Sequence, residues 1–153
     1  MAIKATIYKA TIQLADMDRH INGDHGALDF AKDLWDTDEP SLWQKDLTGQ
    51  IMPWIDIGQP DDKRLMRAGP RTERISVYSF SASTPIWWSG IATKITRLSN
   101  LAVWQVPAEQ SQALAALAQR TMQIQVTVQD GHVWVGGGDH SVEITPQRLY
   151  GGA

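Results

Sequence analysis

The amino-acid sequence predicts an α/β (α+β) fold: one compact domain with a mixed β-sheet flanked by helices and a C-terminal antiparallel β-hairpin. Three observations predict it. Strand-like runs alternate with helical runs through most of the chain. Residues 122–145 alternate cleanly on both sides of Asp130-Gly131, the strongest hairpin signal in the sequence. The 153 residues suffice for one domain whose core is large enough to fold alone.

The N-terminal part predicts a strand followed by a polar loop. Residues 4–14 are rich in β-branched residues and nearly alternate, which predicts a strand. Residues 16–26 contain Asn-Gly and Asp-His-Gly without any periodicity, which is typical of a loop. The apolar run 28–34 fits either a strand or a helix.

The middle of the chain predicts a helical turn and then a strand. Thr37-Asp38-Glu39-Pro40 offers a capping side chain, acids and an early proline, so we expect one helical turn over 41–45. Residues 50–57 predict a strand, in which Pro53 indicates an edge or a bulge.

The remaining elements follow from turn residues and apolar periodicity. Gly58 to Asp61 predicts a turn into a helix that ends at Ala68, because Gly69-Pro70 cannot continue it. The patterns further along predict strands over 74–80 and 101–106 and helices over 85–95 and 107–120.

Composition excludes several classes of site. The chain has no cysteine, which excludes disulfides, thiolate metal sites and cysteine nucleophiles. No apolar run approaches the roughly 20 residues of a membrane span, and the N-terminus lacks a signal-peptide pattern, so we expect a cytoplasmic protein. The four histidines lack zinc-site spacing, no G-x-S-x-G elbow occurs, and Gly136-Gly137-Gly138 lacks a phosphate-loop lysine.

Charge is distributed unevenly although the net charge is only -3. Asp16 to Asp62 carries twelve acids against three bases, whereas Lys63 to Arg97 carries seven bases against Glu73 alone. This pattern fits a carboxylate cluster beside a phosphate-attracting patch. It fits equally well two solvated surfaces that pair with each other.

Asp56 is the acid with the clearest chemical potential. In a regular strand Asp56 shares a face with Met52 and Trp54, where a carboxylate costs several kcal/mol unless it is paired, hydrogen-bonded or metal-bound. It could bind Mg²⁺, accept indole or backbone N–H bonds, or pair with one of the bases Lys63, Arg64 and Arg67. Asp61-Asp62-Lys63 matches a nuclease D-x-K triplet literally, but its acids are expected to lie in the first turn of a helix.

Several stretches together resemble the YaeQ family of small bacterial proteins. They are KATIYKATIQLADMDR, TDEPSLWQKD, WIDIGQPDDKRLMRA, VYSFS, IWW and TMQIQVTVQDGHVWV, in this order across nearly the whole chain. The resemblance implies a variant of the PD-(D/E)XK nuclease-like core, whose acids hold a divalent metal for phosphodiester hydrolysis. No established activity comes with the family.

The resemblance also implies site residues. Asp56 falls at the strand acid of the nuclease motif, and the lysine two places later is replaced by Gly58. Lys63 or Arg67 could supply the missing base, and Asp46 or Asp38 a second metal ligand. A two-residue hairpin at Thr48-Gly49 would, however, put Asp46 on the opposite strand face from Asp56.

One family segment is missing from the sequence. The resemblance implies a further strand and helix between His20 and Ile21, and we expect that these residues were omitted rather than lost. The implied function is a Mg²⁺- or Mn²⁺-dependent nuclease or phosphodiesterase. The alternative is a non-catalytic module that binds nucleic acid or a protein partner. We expect no membrane partner and a monomer by default.

Overall fold

The computed structural model describes residues 29–30, 38–119 and 123–151. Nine strands and three helices lie in these residues. The strands are β1 (Asp29–Phe30), β2 (Leu42–Lys45), β3 (Ile51–Ile57), β4 (Thr72–Ser79), β5 (Leu101–Gln105), β6 (Ile124–Gln129), β7 (His132–Gly137), β8 (His140–Ile144) and β9 (Gln147–Tyr150). The helices are α1 (Asp62–Ala68), which continues as a 3₁₀ turn over Gly69–Arg71, α2 (Thr84–Ile91) and α3 (Ala108–Ala116).

Contacts divide the chain into two compact units. One spans His25–Gln105 and Arg148–Ala153, and the other spans Met1–Asp24 and Val106–Gln147. The first unit carries a six-stranded sheet in the order β1-β2-β3-β4-β5-β9, and the second carries a three-stranded sheet in the order β6-β7-β8. The predicted mixed sheet with helices is confirmed, and the assignment of residues 1–153 to one domain stays a prediction.

The six-stranded sheet combines both strand directions. The pairs β1–β2 and β2–β3 are antiparallel, whereas β3–β4 and β4–β5 are parallel. The helices α1 and α2 make the crossovers that parallel neighbours require. This arrangement places the start of α1 directly after the carboxyl end of β3.

The helices cover one face of this sheet. The core cluster joins residues of the parallel strands to the two helices and to the segment that follows α2: Ile51, Trp54, Ile75, Val77, Leu101 and Val103 with Leu65, Ala68, Ile91, Ile95 and Leu98. Full burial of such side chains stabilises the fold by about 1.5–3 kcal/mol each. Asp56 lies two residues after Trp54 in β3 and therefore reaches the helix-covered face.

Residues 41–45 contradict the predicted helical turn. Leu42 to Lys45 form β2, which pairs with both β1 and β3, and Leu42 and Gln44 are buried while Lys45 is exposed. A run this short cannot form a stable helix alone, so the two neighbouring strands decide its conformation.

Proline 53 marks a β-bulge inside the sheet. Trp43 pairs with Trp54 and Lys45 with Ile51, so β3 contains one residue more than β2 between these pairs. Pro53 lacks the N–H that a regular ladder needs, and the bulge removes this requirement. Of the two predicted alternatives, the bulge is confirmed.

The second unit contains the predicted hairpin. β6 and β7 pair from Ile124↔Gly137 to Gln129↔His132 around Asp130-Gly131. Both turn residues have positive φ, 52° and 80°, as a two-residue type I′ turn requires. Gly138 also has a positive φ, in the turn that joins β7 to its antiparallel neighbour β8.

The other predicted elements differ mainly at their ends. The predicted helix over 107–120 spans Ala108–Ala116, and the helix over 85–95 spans Thr84–Ile91. The expected strand over 4–14 and the loop over 16–26 lie outside the described residues. None of the helices in the described ranges has the length and apolar character of a membrane-spanning segment.

Candidate functional site

Asp56 lies at the carboxyl end of β3 with only 4% of its side chain exposed. Its Oδ2 accepts hydrogen bonds from Trp54 Nε1 at 3.1 Å and from Arg64 Nε at 3.1 Å. Its Oδ1 accepts a second bond from Arg64, from Nη2 at 2.9 Å. Both carboxylate oxygens thus bind one guanidinium, in the two-pronged geometry that gives the strongest ion pairs in proteins.

Arg64 joins three segments of the chain. Its backbone N–H donates to the Oδ1 of Asp61, which caps α1, at 2.7 Å. Its side chain reaches back to Asp56, and its Nη2 also donates to the carbonyl oxygen of Glu39. The hydrogen bonds to Asp56 raise the pKa of Arg64 most, and partial burial opposes them. The guanidinium is therefore a fixed positive charge between β3, α1 and the segment before β2.

Asp46 organises the turn between β2 and β3. Its Oδ1 accepts hydrogen bonds from Thr48 Oγ1 at 2.6 Å, from Thr48 N at 2.8 Å and from Gln50 N at 2.9 Å. The Thr48 hydroxyl and then the Gln50 amide hold the pKa of Asp46 below its ordinary value. Asp46 is exposed and acts as a turn residue.

The structure separates Asp46 from Asp56. The backbone N–H of Asp46 donates to the carbonyl oxygen of Gln50, which precedes β3, whereas Asp56 lies near the other end of that strand. At a rise of roughly 3.3 Å per residue, the two carboxylates lie about 20 Å apart along the strand. A single metal ion cannot bind both.

Asp38 is linked to the surroundings of Asp56 by two arginines, Arg71 and Arg64. Its carbonyl oxygen accepts a bond of 3.0 Å from Arg71 Nη1, and its charge raises the pKa of Arg64 after the larger effects of Asp56 and Asp61. Asp38 and Asp56 therefore both act on the same guanidinium.

The described residues do not by themselves fit a Mg²⁺ ion at Asp56. Arg64 binds both oxygens of the carboxylate, and its positive charge would repel a second cation. In the described part of the chain, no three His, Asp or Glu side chains come together in a way that could hold a metal. The metal ligands Asp56, Asp46 and Asp38 stay a prediction, and a complete site would need ligands from elsewhere in the chain.

The base that pairs with Asp56 is Arg64, one of the three partners expected from the sequence. Lys63 and Arg67 are both exposed on α1, and the partly buried Arg64 is the one that contacts Asp56. Gly58, at the position of the nuclease lysine, has a φ of +115°. L-residues with side chains rarely adopt this conformation, so the turn after β3 favours glycine there. The catalytic roles of Asp56, Lys63 and Arg67 stay predictions.

A row of two aromatic side chains with a basic side chain at each end was not predicted from the sequence. Lys45 Nζ lies 4.0 Å from the centre of the Trp43 ring, and the rings of Trp43 and Trp54 meet edge to face at 6.4 Å. The guanidinium of Arg71 lies 5.2 Å from the centre of the Trp54 ring. We call Lys45, Trp43, Trp54 and Arg71 the aromatic–cation row. The signal available in the sequence was Trp43 and Lys45 two residues apart, on one face of a strand.

Comparisons with known proteins agree on one family. A family model described as "YaeQ protein" matches residues 1–27 and 23–146. The chain is 31% identical over 172 residues to the uncharacterized protein YaeQ of Escherichia coli (strain K12), covering 94% of this chain and 95% of that protein. The equivalent protein of Salmonella typhi is 30% identical over the same coverage. Because this alignment is longer than the chain, it contains gaps on this chain's side.

Two solved structures are also similar. The crystal structure of YaeQ protein from Xanthomonas axonopodis pv. citri matches with a TM-score of 0.82 at 31% identity, covering 99% of this chain and 82% of that one. YaeQ protein from Pseudomonas syringae matches with a TM-score of 0.73 at 32% identity, covering 82% of this chain and 69% of that one.

Proposed function

The chain belongs to the YaeQ family, and we propose that it is a nucleic-acid-binding module on a degenerate PD-(D/E)XK nuclease-like scaffold. The observation that carries the proposal is a set of three exposed cations on α1 and its 3₁₀ extension: Lys63, Arg67 and Arg71. We call these three residues the basic face.

Helix geometry aligns two of the three cations. Lys63 and Arg67 are four residues apart, which puts side chains on one side of an α-helix, and Arg71 follows at the end of the 3₁₀ turn. Leu65 and Ala68 occupy the opposite, buried side. Arg71 contacts the segment before β2 through Asp38 and contacts Trp54 in β3. The basic face is therefore continuous with the aromatic–cation row.

The charge arrangement favours binding through phosphates. Lys63 and Arg67 are exposed, so their charges can replace the counterions of a nucleic-acid backbone. The buried acid Asp56 is neutralised by Arg64 and does not cancel the basic face. Local positive charge can thus attract a polyanion although the chain carries a net charge of -3.

The test compares two pairs of exposed cations. Binding of a labelled single-stranded oligonucleotide is measured against salt for wild type and for Lys63→Gln/Arg67→Gln. Each lost phosphate contact lowers the slope of log K against log salt by about 0.7 for single strands, so we expect a slope smaller by roughly 1.4. The matched control, Lys94→Gln/Arg97→Gln, removes the same charge from two other exposed positions and should retain the wild-type slope.

Two outcomes would contradict the proposal. If wild type retains neither single-stranded nor duplex oligonucleotide at low salt, the basic face does not serve nucleic acid, and a protein partner becomes the better hypothesis. If both double variants lose the same slope, the attraction is a general effect of net charge.

A metal-dependent phosphodiesterase is the second candidate. The observation that favours it is the buried carboxylate of Asp56 at the carboxyl end of β3. The unfolding temperature should be measured with Mg²⁺ and with Mn²⁺ for wild type and for Asp56→Asn. A metal-dependent rise in wild type that disappears in the variant supports this candidate. An equal response of both proteins at millimolar metal rules out Asp56 as a ligand.

A further inference from the structure

We infer that Trp43 is a stacking platform for an unpaired base, so that the ligand of the basic face is a single-stranded nucleic acid and not a duplex. This inference rests on the proposed function and deepens it. It is carried by the aromatic–cation row, in which an exposed ammonium group lies over one face of a half-buried indole.

The outer face of Trp43 borders solvent. Lys45 is exposed, and its Nζ lies 4.0 Å from the centre of the Trp43 ring. An ammonium group keeps its hydration where it can, so an exposed one over a ring marks the face of that ring that water reaches. A base could occupy this face once the flexible lysine side chain turns aside.

Contact with Trp54 holds the Trp43 ring in position. Trp43 pairs with Trp54 across β2 and β3, and the two rings meet at an interplanar angle of 77°. Trp54 is only 1% exposed, and its indole N–H is fixed by Asp56. The ion pair of Asp56 with Arg64 thus contributes to a rigid platform, and rigidity before binding reduces the entropy that a ligand must lose.

A cation lies at each end of the aromatic–cation row. Lys45 lies over Trp43 itself, and Arg71 lies over Trp54, next along the row. A displaced Lys45 can contact the phosphate beside a stacked base, while Arg71 continues into the basic face. Aromatic rings between backbone-binding cations are typical of single-strand binding proteins, because stacking needs a base whose face is free. A base inside a duplex offers no such face.

The experiment separates stacking from charge. Affinities of single-stranded and duplex oligonucleotides are measured against salt for wild type, Trp43→Leu, Trp43→Phe and the control Trp88→Leu, which removes a half-buried indole that contacts Tyr150 and lies outside the aromatic–cation row. Loss of one stacked base should weaken single-strand binding about 5- to 150-fold in Trp43→Leu, the equivalent of about 1–3 kcal/mol. The factor by which the single-strand affinity falls should be the same at every salt concentration. Trp43→Phe should retain most of the affinity, and duplex binding should not change.

A measurement on wild type alone covers the case in which Trp43→Leu does not fold. An oligonucleotide of the same length with abasic sites keeps its phosphates but cannot stack. We expect wild type to bind the abasic strand more weakly than the normal strand, by the factor expected for Trp43→Leu. The salt slope should be the same for both strands. Equal affinity for normal and abasic strands overturns the inference but leaves the proposed function intact. Failure of wild type to bind any oligonucleotide overturns both.

Discussion

The two ends of β3 use the same residue types for different purposes. At the start, Asp46 lies in a solvated turn that contains Gly49, and at the end Asp56 is buried just before Gly58. Both glycines have positive φ, 86° and 115°. The Asp46 carboxylate accepts bonds from its own turn, within four residues, whereas Asp56 binds a guanidinium eight residues further along the chain.

The difference shows what burial demands of a carboxylate. In water, Asp46 needs only the neutral donors of its own turn. In the core, the charge of Asp56 must be compensated, and Arg64 compensates it with two hydrogen bonds while Trp54 adds a third. A sequence pattern that identifies an acid on a strand therefore does not identify its partner.

The largest expected effect follows removal of the buried carboxylate. Asp56→Ala leaves the guanidinium of Arg64 and the indole N–H of Trp54 without their acceptor inside the fold. Loss of one member of a buried ion pair costs about 3–5 kcal/mol, so we expect a decrease of this size in the free energy of unfolding. Urea unfolding followed by fluorescence measures it.

A double variant serves as the control for this prediction. Asp56→Leu/Arg64→Met replaces the pair by apolar side chains, so neither charge stays unpaired. The double variant should lose about 0.5–3 kcal/mol less free energy of unfolding than the single variants Asp56→Leu and Arg64→Met lose in sum. Strict additivity would show that the two side chains do not stabilise each other.

The next effect in size concerns Gly58. Gly58→Lys restores the spacing of the nuclease motif but forces a side-chain residue into a φ of +115°. Strain of this kind costs about 1–3 kcal/mol. We expect this decrease in the free energy of unfolding, which a urea titration measures. The reason is that the backbone conformation of the turn, and not a catalytic role, determines the residue at this position.

Gly90 provides the matched control for Gly58. It lies in α2, is exposed, and has no atom within 4 Å of an added Cβ. Alanine is favoured over glycine inside a helix by about 0.5–1 kcal/mol, so Gly90→Ala should stabilise the protein. A Gly58→Lys variant as stable as wild type would contradict the assigned strain.

Turn and cap residues made part of the fold predictable. Pro60, Asp61 and Gly69-Pro70 bound α1, and Asp130-Gly131 locates the C-terminal hairpin. The failure at residues 41–45 has a tertiary cause, since two neighbouring strands pair with a segment too short to hold a helix.

The site was less predictable because it depends on helix phase and strand pairing. Successive residues on a helix point about 100° apart, so the start at Asp62 decides that Arg64, and not Lys63 or Arg67, meets Asp56. The contact of Trp43 with Trp54 depends on a bulged register that no local pattern fixes. The strand acid and its candidate partners were identifiable, and the choice of Arg64 among the three bases was not.

The smallest effect is expected at the other end of β3, from Asp46→Asn. The amide keeps an acceptor for Thr48 and Gln50 but loses the charge. Because the folded protein lowers the pKa of Asp46 below 3.8, the charged form stabilises the fold at neutral pH, and this stabilisation is lost as the pH falls through the lowered pKa. The unfolding temperature of the variant should therefore lie slightly below that of wild type at pH 7, and the difference should shrink below about pH 4.

Asp139→Asn, at another exposed turn position, is the control. A difference between wild type and Asp46→Asn that is independent of pH would mean that the bonds at this turn do not depend on the charge, and the two ends of β3 would then differ in burial alone.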